Sequence, residues 1–341
     1  MASEAHMATI TAETAAATVT EEEHAPELTG GWKIVARKEL GDHLRSSRFV
    51  ILLVLMALAG LAAVHSASGG IRDAAVGAAD IPSVFLYIFI LSPDRIPSFV
   101  ELLGLIGPLL GIVFAFDAVN GERAQRTLPR LVSQPIHRDD VINGKFAAGI
   151  GAVSLVLVAV VAMVSGYGMV RLGITPGLSD LVRLVGFVVV AIAYISVWFG
   201  LAMLLSIVTR RAATAALAAV AVWLVFALFM GLIAGIVADA VRPVHDDTDI
   251  SQVLANARLE LNTRRLSPDE LYQETTEALL DPLKQSTGIL VQSPDDSAVP
   301  APLGLRQSLD IAWWQLAAIA GIAVALFAAS YALFLRQEIR A

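Results

Sequence analysis

The chain of 341 residues contains no cysteine and few charged residues. The absence of cysteine excludes disulfides, thiolate nucleophiles and the zinc or iron–sulfur sites that need cysteine ligands. Charged residues make up 16% of the chain and apolar residues 56%, whereas soluble domains average about 25% and roughly 45–50%. The formal net charge of −7 also argues against a nucleic-acid-binding protein, which would be basic. This composition indicates an integral membrane protein.

Catalytic motifs are missing as well. The zinc-protease pattern H-E-x-x-H and the hydrolase pattern G-x-S-x-G do not occur. An ATP-binding Walker A motif needs a glycine five residues before its Gly-Lys pair and a Ser or Thr after it. Here Asp139 stands at that distance before Gly144 and Lys145, and Phe146 follows them. We therefore predict no enzymatic activity, no cofactor and no metal ion in this chain.

Six apolar runs are long enough to cross a membrane, because about 30 Å of hydrocarbon needs roughly 20 helical residues. We predict an all-α membrane protein with six transmembrane helices. The runs are Phe49–His65, Phe99–Val119, Phe146–Val170, Leu184–Val208, Ala212–Ala238 and Ile311–Leu335.

Most Lys and Arg residues fall on one side of these spans, which the positive-inside rule assigns to the cytoplasm. Both termini are then cytoplasmic, and we expect a multi-pass protein of the plasma membrane of a prokaryote. The cations on the predicted inner side are Lys33, Arg37, Lys38, Arg45, Arg48, Arg123, Arg126, Arg130, Arg138, Lys145, Arg210, Arg211, Arg336 and Arg340. The short loops on the other side hold Arg72, Arg95, Arg171 and Arg183.

The spans divide the chain into five parts. Residues 1–31 contain six acids and no Lys or Arg, which predicts a disordered acidic cytoplasmic tail rather than a signal peptide. Residues 32–48 predict a basic amphipathic helix among lipid headgroups, with Trp32, Val35, Leu40 and Leu44 on its apolar face. Residues 49–238 hold spans one to five, 239–311 an external and mostly helical loop, and 312–341 span six with a short cytoplasmic end.

The two loops on the predicted outer side differ in character. The apolar stretch 84–91 is too short to span, so it lies at the outer surface or re-enters between helices. The loop 239–311 carries 13 acids and six basic residues, and a solvated cap explains it better than a ligand site. Within it, Ser267 and Pro268 begin a helix, as an N-cap followed by a first-turn proline.

The inner loop 120–145 carries the functional signal. We expect a short helix from Glu122 to about Ser133, since an acid near its start suits the helix dipole. Leu128 and Leu131 are apolar on a helix outside the membrane, so they need a partner surface. A second helix then starts near Asp139 and runs into span three.

This loop resembles that of the ABC-2-type permeases, the membrane subunits of type-2 ABC exporters. The family commonly has Glu-Arg, Gly-Thr-Leu, a Leu-rich stretch, Pro, Ser/Thr-Arg and Gly-Lys here. Two residues depart from the pattern: Arg126 stands in place of the glycine, and Pro129 falls inside the expected helix. The residues that match are Glu122, Arg123, Thr127, Leu128, Leu131, Pro135, Arg138, Gly144 and Lys145.

The resemblance covers about residues 32–340 and implies a mechanism. Two permease copies, identical or different, would pair with two ABC ATPase subunits that hold ATP and Mg. The loop would dock in a groove on the ATPase and couple ATP hydrolysis to the spans. The coupling residues would be Glu122, Arg123, Thr127, Leu128, Leu131, Pro135 and Arg138.

Span two is the candidate conduit, because it combines small residues, a proline and carboxylates. Packing glycines and surface-level polar residues explain this pattern equally well. The residues in question are Glu101, Gly107, Pro108, Gly111 and Asp117. The alternatives to a permease are an ion-coupled transporter and a membrane sensor or scaffold with an external ligand-binding loop. An intramembrane enzyme is a further alternative, with no acid–base pair evident to support it.

Overall fold

The computed structural model describes residues 30–75, 83–93, 96–124, 137–245, 249–288 and 301–336, and these ranges contain helices and no strand. The long apolar runs become helices because a helix satisfies its own backbone hydrogen bonds within lipid. In chain order the helices are α1 Gly31–Arg45, α2 Ser47–Ala75, α3 Val84–Ile90, α4 Phe99–Ala115, α5 Asn120–Ala124, α6 Arg138–Leu172, α7 Leu178–Val208, α8 Ala212–Leu224, α9 Met230–Val241, α10 Ile250–Arg264, α11 Pro268–Leu280 and α12 Leu305–Arg336. A π-helical segment, Val225–Phe229, joins α8 to α9.

Six helices in the described ranges are long and apolar enough to cross a membrane, which confirms the predicted number of spans. The first extends beyond His65, and only three residues separate the fourth from the fifth. Spans one to six are Ser47–Arg72, Phe99–Ala124, Arg138–Leu172, Leu178–Val208, Ala212–Val241 and Leu305–Arg336.

Span four lies at the centre of the bundle, where α7 packs against α4, α6, α8, α11 and α12. Its large aromatic side chains Phe187, Tyr194, Trp198 and Phe199 are fully buried. Close packing depends on small residues opposite them: at Gly111 of α4, a Cβ atom would lie 2.7 Å from the carbonyl oxygen of Ile195. The two backbones therefore meet directly, which requires glycine at this crossing.

The bundle has two ends, which we call the α1 end and the α3 end after the short helix that each carries. At the α3 end, α3 packs against α2, α4 and α11. Phe85, Leu86, Ile88 and Phe89 of this helix are buried. The stretch 84–91 thus enters between other helices, one of the two placements that its sequence allows.

Helix α11 is also buried, which differs from the solvated cap expected for residues 239–311. Ser267 caps it by accepting a hydrogen bond from the Asp269 amide at 3.2 Å, and Pro268 starts it. Leu271, Tyr272 and Leu279 are 2% exposed or less, and the helix packs against α4, α7 and α12. The reason is an apolar face within an otherwise acidic loop, since such a face is stable only when covered.

A buried arginine attaches this region to span four. Arg183 is 1% exposed. Its Nη1 donates to the Leu279 carbonyl at 2.6 Å and to Ser308 Oγ at 3.0 Å, and its Nη2 donates to the Leu303 carbonyl at 2.5 Å. One guanidinium therefore joins the end of α11, the returning segment and the start of span six.

Candidate functional site

The inner loop that carries the functional signal begins and ends at the α1 end. Its first foot is α5 and its second is the start of α6, whose first turn contains Asp139 and Asp140. Glu122, Arg123 and Arg138 lie in these feet. The other predicted coupling residues, Thr127, Leu128, Leu131 and Pro135, lie outside the described residues.

A buried lysine connects the two feet. Lys145 of α6 is 5% exposed, and its Nζ lies 2.8 Å from Glu122 Oε1 of α5 and 3.2 Å from Glu39 Oε1 of α1. Lys38 approaches the same Glu39 oxygen at 3.0 Å. The attraction within an ion pair is much stronger in a low-dielectric setting than in water. Removing one partner is therefore costly, because the other charge is left buried without compensation. The ammonium of Lys145 thus holds three helices together.

Two side chains on this face of α1, Glu39 and His43, have lowered pKa values. Burial alone would raise the pKa of Glu39, but the neighbouring ammonium groups of Lys145 and Lys38 outweigh it and lower that pKa. Burial lowers the pKa of His43, one turn further along α1, although Glu39 acts in the opposite direction. Both side chains are therefore held in the form that they adopt near neutral pH, an ionised carboxylate and a neutral imidazole.

The first foot is also bonded to the end of span four. Arg123 Nη1 donates to the Ile207 and Thr209 carbonyls at 3.2 and 3.3 Å. Asn120 Nδ2 donates to Thr209 Oγ1 at 3.1 Å. The last carbonyls of a helix are the negative end of its dipole, so a guanidinium is a favourable cap there. A displacement of this foot is consequently transmitted to span four as well as to span two.

Helix α1 packs tightly on the second foot. The Trp32 amide donates to Asp140 Oδ1 at 3.1 Å. A Cβ atom at Gly144 would lie 2.6 Å from Val35 Cβ and 2.8 Å from the Trp32 carbonyl oxygen. The family-type Gly144 is thus the position at which α1 crosses α6, and a side chain there would separate the two helices.

The apolar face predicted for α1 is only partly the face that packs. Val35 is buried and Leu40 is partly buried against the core. Trp32 and Leu44 are 39% and 36% exposed. The packed face instead continues from Val35 to Glu39 and His43, because four-residue spacing puts these residues on one side of a helix.

The candidate conduit residues of span two contact other parts of the same chain. Glu101 forms a capping box with Ser98, accepting from its amide at 2.7 Å. Pro108 is buried, and Gly107 and Gly111 face Ile195 of span four. Asp117 pairs with Arg48 Nη1 at 2.6 Å. The conduit role of these residues stays a prediction.

Sequence reasoning missed two side chains of the ion cluster at the α1 end, Lys145 and Glu39. Lys145 matches the family pattern, but its burial and its two carboxylate partners are not visible in a one-dimensional pattern. Glu39 had a usable signal, since it shares the helix face of Val35. Among the residues that the structure describes, no group of three metal-type ligands forms.

Asp269 is a third side chain that sequence reasoning placed in water. Its Oδ1 accepts a hydrogen bond from the Tyr194 hydroxyl at 3.3 Å, and Tyr194 lies near the middle of span four. The Tyr194 ring also stacks on Tyr272 of α11, with 4.5 Å between centroids. An ionisable group of the loop 239–311 is therefore inside the helix bundle.

Comparisons with known proteins agree with this architecture. The model of a family described as "ABC-2 family transporter protein" matches residues 33–339. A protein of Pseudomonas aeruginosa, described as "Probable ABC transporter permease protein NosY", is 27% identical over 318 residues, which cover 89% of this chain and 98% of that protein. A protein of Stutzerimonas stutzeri with the same description is 31% identical over 145 residues, which cover 42% of this chain and 45% of that protein. With six membrane-capable helices and a family match over nearly its whole length, the chain belongs to the ABC-2 family of transporter proteins.

Proposed function

We propose that this chain is the permease subunit of an ABC exporter, and that a separate ABC ATPase subunit docks at the α1 end and supplies the energy. ATP and Mg would be bound by that partner. The observation that carries the proposal is the attachment of loop 120–145: Lys145 joins its two feet, and Arg123 joins the first foot to span four. A force on the loop would reach spans two, three and four together.

In this proposal the α1 end is the cytoplasmic end of the helix bundle. The cations of α1, of both loop feet and of the turn at Arg210 and Arg211 gather at the α1 end, which supports this orientation under the positive-inside rule. Helix α1 presents Lys33 and Arg37 on its exposed side, which suits anionic lipid headgroups in the plasma membrane of a prokaryote. The α3 end, with α10 and α11, would face outward.

A second permease copy would complete the pathway, and span five is the surface that suits it. In the most apolar window of span five only 6% of the residues are buried, less than in any other span of the described chain. Gly231 and Gly235 form a GxxxG pattern, and a Cβ placed on either would meet no side chain or other helix of the described residues within 4 Å. Such glycines allow two membrane helices to approach closely.

The partnership with an ATPase is tested by copurification. The tagged chain is coexpressed with each ABC ATPase of its own genome, and ATP hydrolysis of the purified complex is measured in lipid vesicles. We expect one ATPase to be retained, and Glu122→Ala and Arg138→Ala to reduce hydrolysis. Arg258→Gln, an exposed change on α10, is the control. The proposal fails if no ATPase copurifies and both loop variants behave like this control.

The second copy is tested by crosslinking, for which the absence of cysteine is an advantage. Leu228→Cys introduces a single thiol at an exposed position of span five, one turn before Gly231, and mild oxidation of membranes should give a disulfide-linked dimer. Leu155→Cys, at an exposed leucine of span three, should not crosslink. Equal crosslinking at both positions, or none at Leu228→Cys, argues against this interface.

A second function, ion-coupled transport, is favoured by one observation. Ionisable groups inside a membrane bundle often belong to proton or ion pathways, and Asp269 is such a group. If an ion gradient alone drives transport in vesicles without ATP, and Asp269→Asn abolishes it, this function replaces the first.

A further inference from the structure

The three-helix ion cluster at the α1 end suggests how the loop is held. Lys145, Glu122 and Glu39 come from α6, α5 and α1, and each contributes one side chain to the same contact. Glu122 precedes the loop segment 125–136 and Lys145 follows it. The contact therefore closes the base of the loop and attaches α1 to that base.

The balance of charge makes the lysine the central member. Glu122 and Glu39 are each 15% exposed and share one ammonium. Glu39 has a second cation in Lys38, whose side chain is 60% exposed and pairs with Asp42 too. Without Lys145, the contact of α1 and α5 would lose the cation that lies between the Glu39 and Glu122 carboxylates. Like charges in this setting repel, so the two helices would move apart.

Other tethers at this end are weaker or join different elements. Arg48 at the start of span one pairs with Asp117 near the end of span two. Their side chains are 47% and 30% exposed, and exposed ion pairs contribute little to stability. The hydrogen bond from the Trp32 amide to Asp140 joins α1 to the second foot only. Among the tethers described at this end, the Lys145 contact is the one that joins α1 to both feet.

We propose that Lys145 is the positioning residue of the coupling loop, and that it makes α1 and both loop feet move as one body. This inference rests on the proposed function, because the motion in question is the one imposed by the ATPase subunit. It extends that function in one respect: α1 is a working part of the coupling unit and not only a membrane anchor.

The test measures the distance between α1 and the first foot. Ile34→Cys and Ala124→Cys, both at exposed positions, provide the thiols for two nitroxide labels in a chain that has no other cysteine. Electron paramagnetic resonance then gives the distance distribution in the full complex, without nucleotide and with ATP trapped by vanadate. In the labelled parent we expect one narrow distribution that does not change with nucleotide.

Three variants in this background separate positioning from general stability. Lys145→Met keeps the length of the side chain but removes the charge, and it should broaden the distribution, shift it to longer distances and make it depend on nucleotide. Lys145→Arg keeps the positive charge between Glu39 and Glu122 and should keep the distribution narrower than in Lys145→Met. Arg37→Gln, a cation removed from the exposed side of α1 and outside the cluster, should leave the distribution unchanged.

The outcomes are distinct. An unchanged distribution in Lys145→Met overturns the inference, and so does an equal broadening in Arg37→Gln. A distribution in Lys145→Arg as broad as that in Lys145→Met overturns the electrostatic reason for it. If Lys145→Met does not fold, Glu122→Gln is measured instead, and it should broaden the distribution in the same direction. The measurement without nucleotide does not need the ATPase, so failure of the proposed function appears separately, as loss of copurification from the labelled parent.

Discussion

The crossing of spans two and four at Gly111 provides a quantitative test of the fold. A Cβ atom at Gly111 would lie 2.7 Å from the Ile195 carbonyl oxygen and 2.8 Å from the Phe199 amide nitrogen. Both neighbours are backbone atoms, so no side-chain rotation relieves the overlap. The substitution Gly111→Ala must therefore move the two helices apart by about 0.7 Å to reach the 3.4 Å of ordinary contact.

The expected cost combines two opposing effects. Overpacking a tight core contact costs about 1–3 kcal/mol, whereas Gly→Ala inside a helix is favourable by up to about 1 kcal/mol. Gly166→Ala in span three is the matched control, because it has the helix benefit and its new Cβ would meet no side chain or other helix within 4 Å in the part of the chain that the structure describes. The difference between the two variants isolates the overpacking cost of about 1–3 kcal/mol.

Thermal unfolding in detergent measures this difference. Tryptophan fluorescence is a suitable signal, since Trp198 is buried in span four close to the crossing. Gly111→Ala should melt below Gly166→Ala by about 1–2 °C for each kcal/mol, because the unfolding entropy of a chain of 341 residues is about 0.7 kcal/mol/K. If Gly111→Ala melts at the same temperature as the control or above it, the backbone contact is not a constraint. If its stability matches the control while transport alone falls, Gly111 acts as a conduit residue.

Three further predictions use the same melting assay. Burial lowers the pKa of His43 below its ordinary 6.5, so the unfolded chain takes up a proton before the folded chain does as the pH falls. The melting temperature should therefore fall below about pH 6.5, and His43→Gln should reduce this dependence on pH. Arg183→Leu should cost about 3 kcal/mol or more, since three buried acceptors lose a charged donor, while the exposed Arg258→Gln should have no measurable effect; equal melting of the two would contradict the role of Arg183. Ser98→Ala should cost about 1 kcal/mol through loss of the cap that accepts from the Glu101 amide, and Ser98→Thr, which retains a hydroxyl, should restore most of it.

The six spans could be predicted from the sequence because they depend on the length and hydrophobicity of each segment alone. A run of about 20 apolar residues is stable in lipid whatever its neighbours are. The start of α11 at Ser267 and Pro268 could be predicted as well, because an N-cap and a first-turn proline act within one turn of helix. The family resemblance was readable for the same reason, since its residues lie close together in loop 120–145.

The burial of α11 could not be predicted from the sequence. Its composition is mixed, with acids beside Leu271 and Tyr272, and such a pattern suits a surface helix as well as one packed inside a bundle. The stacking of Tyr272 on Tyr194 decided the matter, and it depends on how α11 and α7 are placed relative to each other. The rotation of α1 is a similar case, since Trp32 and Leu44 are as apolar as Val35 but lie at the edge of the contact.

The sequence by itself determined that this is a helical membrane protein with six spans, an uneven distribution of cations and a family-type loop after span two. Length, hydrophobicity and local spacing are sufficient for these properties, because the bilayer imposes them segment by segment. Only the tertiary structure decided that Lys145 meets Glu122 and Glu39, that Arg123 caps span four and that Asp269 lies within the bundle. Such contacts join residues far apart in the chain, so they depend on which face each helix turns toward its neighbours.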